Sequence, residues 1–221
     1  LLAPVASALT REAPHVLRSI TLLPLPMILT AMGFSVISSG IKSKYKILVF
    51  LYVGFIVLSA ANYLTKYFGS YASNYSWSWQ YGYKEVSAYV LKNYTKYEKI
   101  IITKKYGEPH EFILFYSGWD PEKYRNDQNM IRFYQSDWYW VDGFDKFYFI
   151  NDWEIPKQGH EFVTESGIKI SCDFEEKCLL ITGPDNAPSG WIKIDTLNFL
   201  DGKPAFEIYD NSFRDLGMLV K

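Results

Sequence analysis

Two long apolar runs dominate the first third of the chain, residues 20–37 and 47–64, and neither contains a charge. The second, at about 1.5 Å rise per residue, reaches roughly 27 Å, close to the thickness of a hydrocarbon core. Pro24 and Pro26 must bend the first run, and bilayer helices tolerate such breaks because neighbours re-satisfy the freed carbonyls. The connector 38–46 reads SSGIKSKYK, with three lysines and no acid. The pattern predicts a pair of membrane helices. Ahead of them, LLAPVASA at 1–8 reads as the end of a further apolar segment, and no basic region precedes it as in a signal peptide. The expectation is the C-terminal part of a larger polytopic protein.

After residue 83 the periodicity changes. Residues 83–94 (YKEVSAYVLKNY) put Val86, Tyr89, Val90 and Tyr94 on one helical face. KIIIT at 99–103 is a short β-branched run, the signature of a buried strand. A second helix is expected over 108–116, with Pro109 in its first turn, and a polar loop over 122–129. Further strands are expected at 131–134, 146–150, 167–172, 179–182, 191–197 and 205–209, with Asp201-Gly202 as a hairpin signal between the last two. Early helices followed by strands predict a layered α/β or α+β domain. The organisation is therefore residues 1–66, two transmembrane helices plus a fragment of a third, then an aromatic linker 67–83, then a soluble domain 84–221.

Charge sharpens this division. Of 221 residues 48% are hydrophobic and 21% charged, and the net charge of -1 leaves no broad basic surface for nucleic acid. Residues 1–64 carry five basic residues and one acid, and the remainder carries 18 basic and 23 acidic residues. The three lysines of the connector against two arginines in the loop 9–18 favour a cytoplasmic connector. The 9–18 loop and the soluble domain then share the extracytoplasmic face of a cell membrane. Between helix and domain, residues 63–83 hold Trp77, Trp79 and six tyrosines. Such rings suit the bilayer–water boundary, and they also stack on sugars.

Chemical motifs are sparse. Cys172 and Cys178 flank DFEEK, leaving a disulfide on an oxidising face or two free thiols, while zinc would need two further ligands. Neither a metal nor a cofactor is called for. TGPD at 182–185 reads as a turn, since no phosphate-loop signature occurs. Asp137, Asp142, Asp145 and Asp152 lie among aromatics, as in a sugar groove or in ordinary amphipathic strands and turns. Asn74-Tyr75-Ser76 and Asn93-Tyr94-Thr95 match the glycan-acceptor triplet. The densest polar cluster of the apolar third is residues 9–18, with Arg11, Glu12, His15 and Arg18. With a helix starting at Pro14, His15 and Arg18 face the same way, a fork and a further donor suited to phosphate. Ordinary snorkelling to headgroups gives the same pattern.

The run Ala8-Leu9-Thr10-x-x-x-Pro14-His15-x-x-Arg18-Ser19-Ile20, followed by Pro24 or Pro26 and Gly33, resembles the last transmembrane segments of prokaryotic GT-C glycosyltransferases. These are the dolichyl-phosphate-mannose protein mannosyltransferase-like group, glycosyltransferase family 39 and its relatives. WQYGYKE at 79–85, leading into a helix and the KIIIT strand, is similar to the start of their extracytoplasmic domain. The resemblance spans roughly residues 1–120. It implies a polytopic enzyme that moves a sugar from a polyprenyl-phosphate donor to a protein or glycan acceptor at the outer face. The acidic base of such enzymes lies in the first extracytoplasmic loop, so no catalytic residue carries over. The substrate-binding residues it implies are Arg11, Glu12, His15 and Arg18, with Arg18 offsetting charge on the lipid phosphate. The alternative is a non-catalytic, membrane-anchored carbohydrate- or envelope-binding module.

Overall fold

The computed structural model describes residues 22–40, 46–173 and 176–211, together with Val5. The chain divides into two compact units, Leu1–Thr65 and Lys66–Lys221. In the first, α1 spans Pro24–Gly40 and α2 spans Lys46–Lys66. The described part of α1 begins at Pro24, so both prolines fall in its first turn. There no intrahelical N–H is required, and the expected bend has no cause within the described helix. Neither helix buries a single residue. Thr30, Ser38, Ser39 and Thr65 turn their hydroxyls back onto carbonyls of their own helix, which is how such groups are satisfied without water. The helical run Lys46–Asn74, which includes the π turn Tyr67–Tyr71, is long and apolar enough to cross a membrane by length and composition, whereas Pro24–Gly40 is shorter.

The second unit is a mixed α/β fold. Its helices are α3 (Tyr83–Asn93), α4 (Pro109–Ser117) and α5 (Pro121–Arg125). Its strands are β1 (Lys99–Thr103), β2 (Ile131–Gln135), β3 (Trp138–Phe144), β4 (Phe147–Ile150), β5 (Glu161–Val163), β6 (Lys169–Ser171), β7 (Cys178–Thr182), β8 (Ile192–Asn198) and β9 (Pro204–Asp210). Seven of them form one sheet in the order β2-β3-β4-β1-β7-β9-β8, and β5 pairs with β6 apart from it. The central β4, β1 and β7 are parallel, and both flanks are antiparallel.

Alternation along the parallel strands separates two cores. Ile100 and Ile102, Phe147 and Phe149, Leu179 and Ile181 face the helical layer, where Tyr83, Val86, Val90 and Ile113 meet them. Ile101, Ile150 and Leu180 face the other way, onto Ile155, Phe162, Ile170 and Trp191. The sheet is thus buried on both faces, as continuous β-branched runs such as KIIIT require. The β5–β6 hairpin is held to the sheet by a Cys172–Cys178 disulfide, and both cysteines are fully buried. Asn211 stitches the same corner, accepting from Cys178 N–H and donating to the Glu176 carbonyl.

Three sequence expectations need correction. The polar stretch 122–129 is not all loop, because Asp120 caps α5 by accepting from Glu122 N–H, with Pro121 in the first turn. The strand β3 and the short β5 were not expected. The β2–β3 turn carries Ser136 and Asp137 at φ 55° and 62°, a primed hairpin turn built without glycine.

Candidate functional site

Crossover connections place the polar chemistry of the α/β unit at one edge of the sheet. From β1 the chain passes through the helical layer before reaching β4, and from β4 it passes through the β5–β6 layer before reaching β7. Neighbouring parallel strands whose connections leave to opposite faces open a crevice at their carboxyl ends, the usual ligand position in such sheets. Lys104, Asn151 and Gly183 directly follow β1, β4 and β7.

Two clamps occupy this edge. Lys104 Nζ lies 2.5 Å from Asp142 Oδ1 and 3.2 Å from Glu165 Oε2, with its side chain 5% exposed. Asp142 is completely buried, and its other oxygen accepts from Ser166 N–H at 2.7 Å. Asn151 donates to Glu165 Oε2 at 3.1 Å. The turn between β5 and β6 is thereby locked onto the ends of β1 and β4. In the second clamp Asp152 Oδ1 accepts from Thr103 Oγ1, Thr182 Oγ1 and Gly183 N–H, and Lys105 Nζ lies 3.5 Å from Oδ2. A β-carbon at Gly183 would stand 2.7 Å from Lys105 Cδ and 2.8 Å from Asp152 Oδ2, so a side chain there would push both of these groups out of the clamp. The donors that could cradle an external anion here are already engaged by an internal carboxylate.

Glu108 and His110, at the start of α4, are less fully engaged. Glu108 Oε2 and His110 Nδ1 are shut off from solvent, 3.5 Å apart, and neither makes a hydrogen bond. Tyr106 nearby donates to the Ala205 carbonyl, and burial first, then the Asp152 charge, pushes its phenol up to about 12. On β9, Glu207 accepts from Tyr209, Asp185 N–H and Lys193. Burial acts to raise its pKa, but these donors outweigh burial and hold it below the ordinary carboxylate value.

The four aspartates of the aromatic segment do not share one groove. Asp142 and Asp152 anchor the clamps, Asp145 accepts from Tyr94 at 2.5 Å, and Asp137 sits at the β2–β3 turn. Gly183 belongs to a turn, as expected. Of the two acceptor triplets, Asn74 is exposed, whereas Asn93 is buried and donates to the Tyr89 carbonyl. The substrate-binding residues expected from the sequence, Arg11, Glu12, His15 and Arg18, lie outside the described residues. One feature of the aromatic linker was missed: Tyr67, Tyr71 and Tyr75 recur every four residues and meet in sequence, the first pair stacked and the second tilted, at 5.4 and 4.8 Å between ring centroids. The i, i+4 spacing was the available signal.

Fold and site define a mixed α/β unit with a clamped polar edge, carried on a chain that also holds two unburied apolar helices. No family model, curated protein or solved structure matches this chain.

Proposed function

We propose that the chain is the C-terminal part of an integral membrane glycosyltransferase that uses a polyprenyl-phosphate sugar, with the α/β unit on the outer face. The observation that carries this reading is the helical run Lys46–Asn74, whose apolar side chains are unburied and whose end bears a row of tyrosines in ring contact. Unburied Leu, Ile, Phe and Val along whole helices fit an apolar solvent, and Tyr and Trp suit its boundary. A buried disulfide in a chain with no other cysteine fits an oxidising compartment. Between α1 and α2 lies a groove of about 1010 Å³, lined by Pro26, Thr30, Phe34, Leu48, Tyr52 and Ile56. An apolar groove of that kind suits an isoprenoid chain.

In this reading the phosphate of the donor meets His15 and Arg18, and Arg18 balances the charge that develops on the leaving phosphate. The α/β unit positions the acceptor and supplies no acid or base, because its Asp142 and Asp152 carboxylates are consumed by the two clamps. The test is transfer from radiolabelled polyprenyl-phosphate mannose in membranes carrying the whole protein. Arg18→Ala is expected to lower turnover about 100-fold, the scale of one lost charge-stabilising donor. Unchanged turnover and donor affinity in that variant would remove the assignment. The second reading, a membrane-anchored carbohydrate-binding module, is favoured by the exposed aromatics of the β2–β3 hairpin, Tyr134, Trp138 and Tyr139.

A further inference from the structure

The β2–β3 hairpin is firmly rooted and conspicuously bare at its tip. β3 pairs with β4 only at Gly143 and Phe144, so Trp138, Tyr139 and Trp140 extend past the ladder with β4. Asp142, immediately behind them, is locked to Lys104, and Phe133 lies under the same ammonium, 5.5 Å from ring centroid to Nζ. At the tip, Tyr134, Trp138 and Tyr139 are 59%, 66% and 66% exposed. The side chains around Trp138 are held in place. The Trp140 indole N–H donates to the Gln135 carbonyl at 3.0 Å, the Tyr134 hydroxyl donates to Asp137, and the Tyr134 and Tyr139 rings lie 5.0 Å apart.

Register assigns these rings to faces. Gln135 pairs with Trp138 and Phe133 with Trp140, which places all four on one side of the hairpin, and Tyr134 with Tyr139 on the other. The tip is therefore a blade two strands wide with an indole beside an exposed amide on one side and a tyrosine pair on the other.

Three kinds of occupant suit exposed aromatics, and charge and size separate them. A bilayer surface attracts Lys and Arg beside the rings, whereas the apex of this turn is an acid, Asp137, and residues 131–140 carry one basic residue and one acid. A stable protein interface needs about 800 Å² per partner around an apolar centre, and a ribbon about 5 Å across with polar residues between its rings offers no such centre. A sugar ring needs an exposed aromatic face for its C–H surface and an adjacent side chain able to both donate and accept; Trp138 and Gln135, opposite each other in the register, supply that pair.

We propose that the β2–β3 hairpin tip is a carbohydrate-binding element, with Trp138 as the stacking face and Gln135 as its polar partner. This deepens the glycan-handling reading above and rests on it for the presence of a glycan at this face. Binding is measured with the whole chain in phosphatidylcholine nanodiscs, free of sugar-based detergent. The probes are mannohexaose and a hexasaccharide of N-acetylglucosamine, read by saturation-transfer NMR. Saturation is expected on the ring C–H protons of at least one probe. Trp138→Ala is expected to weaken that binding at least tenfold and Trp138→Tyr to restore most of it. Trp77→Ala, outside the tip, leaves it unchanged. An unfolding midpoint for Trp138→Ala equal to the parent's shows that the loss is not a folding defect.

No saturation on either probe, or equal binding by Trp138→Ala, overturns the proposal. A nitroxide on Ser136→Cys separates the bilayer alternative. Accessibility to an aqueous relaxant supports the sugar site, and accessibility to oxygen at acyl-chain depth overturns it. No donor lipid enters these measurements. Failure here leaves the transfer assay standing, and failure of transfer with intact binding removes the enzyme reading alone.

Discussion

The same apolar residue types are treated in opposite ways by the two units. In the α/β unit Ile100, Ile101, Ile102, Leu179 and Leu180 are fully buried, whereas in α2 Ile47, Leu48, Leu51, Val57 and Leu58 stand in the open. Hydroxyls repeat the contrast. Thr103 and Thr182 bond across strands to Asp152, while Thr30 and Thr65 bond only to their own helices. A fold that makes its own interior can place a charge inside it, as with Lys104 and Asp142. The described helices α1 and α2 bury none of their residues and make no such interior.

The largest expected break in this contrast comes from the interior charge pair. Asp142→Ala leaves Lys104 buried against Glu165 alone and should destabilise the α/β unit by about 3–5 kcal/mol, read by denaturant unfolding of the detergent-solubilised chain. A loss below about 1 kcal/mol would show that water reaches the pair. Val57→Asp inverts the experiment. It should cost membrane insertion about 3 kcal/mol while leaving unfolding of the α/β unit unchanged, measured by carbonate extraction beside a denaturant curve.

Next in size is the disulfide. Replacing Cys172 and Cys178 by serine frees a short loop and should cost about 2 kcal/mol, with reduction by thiol having no further effect on the variant. The smallest effect concerns pH. Glu207 has its folded pKa held below its ordinary 4.5, so its contribution is present above that value. As pH falls through the lowered folded value the contribution is lost. Glu207→Gln is therefore expected to flatten the acid limb of a stability–pH profile, and an unchanged acid limb would contradict the assignment.

How much of this was legible in the sequence follows the range of the interactions. The strand KIIIT was recoverable because a short β-branched run contains its own signal, α3 because its periodicity is local, and α4 because Pro109 marks its first turn. The β3 strand was not recoverable, since its turn uses Ser136 and Asp137 where hairpin rules look for glycine or asparagine. Both clamps were invisible for a different reason. Lys104 finds Asp142 and Glu165 across 38 and 61 residues of chain, and nothing in a single sequence couples such positions. The acids were noticed for the rings around them, while the partners of Asp142 and Asp152 lie at the ends of β1 and β7 and in the β5–β6 turn.

The account depends most on the α2 run crossing a bilayer with the α/β unit emerging on the oxidising side. Thiol labelling in intact cells measures this directly, with one variant carrying Ser43→Cys in the connector and another Lys203→Cys in the exposed β8–β9 turn, where the lysine side chain is 80% exposed. A membrane-impermeant maleimide should modify position 203 at once and position 43 only after the cells are permeabilised. Labelling of both from outside, or of 43 alone, would contradict the arrangement.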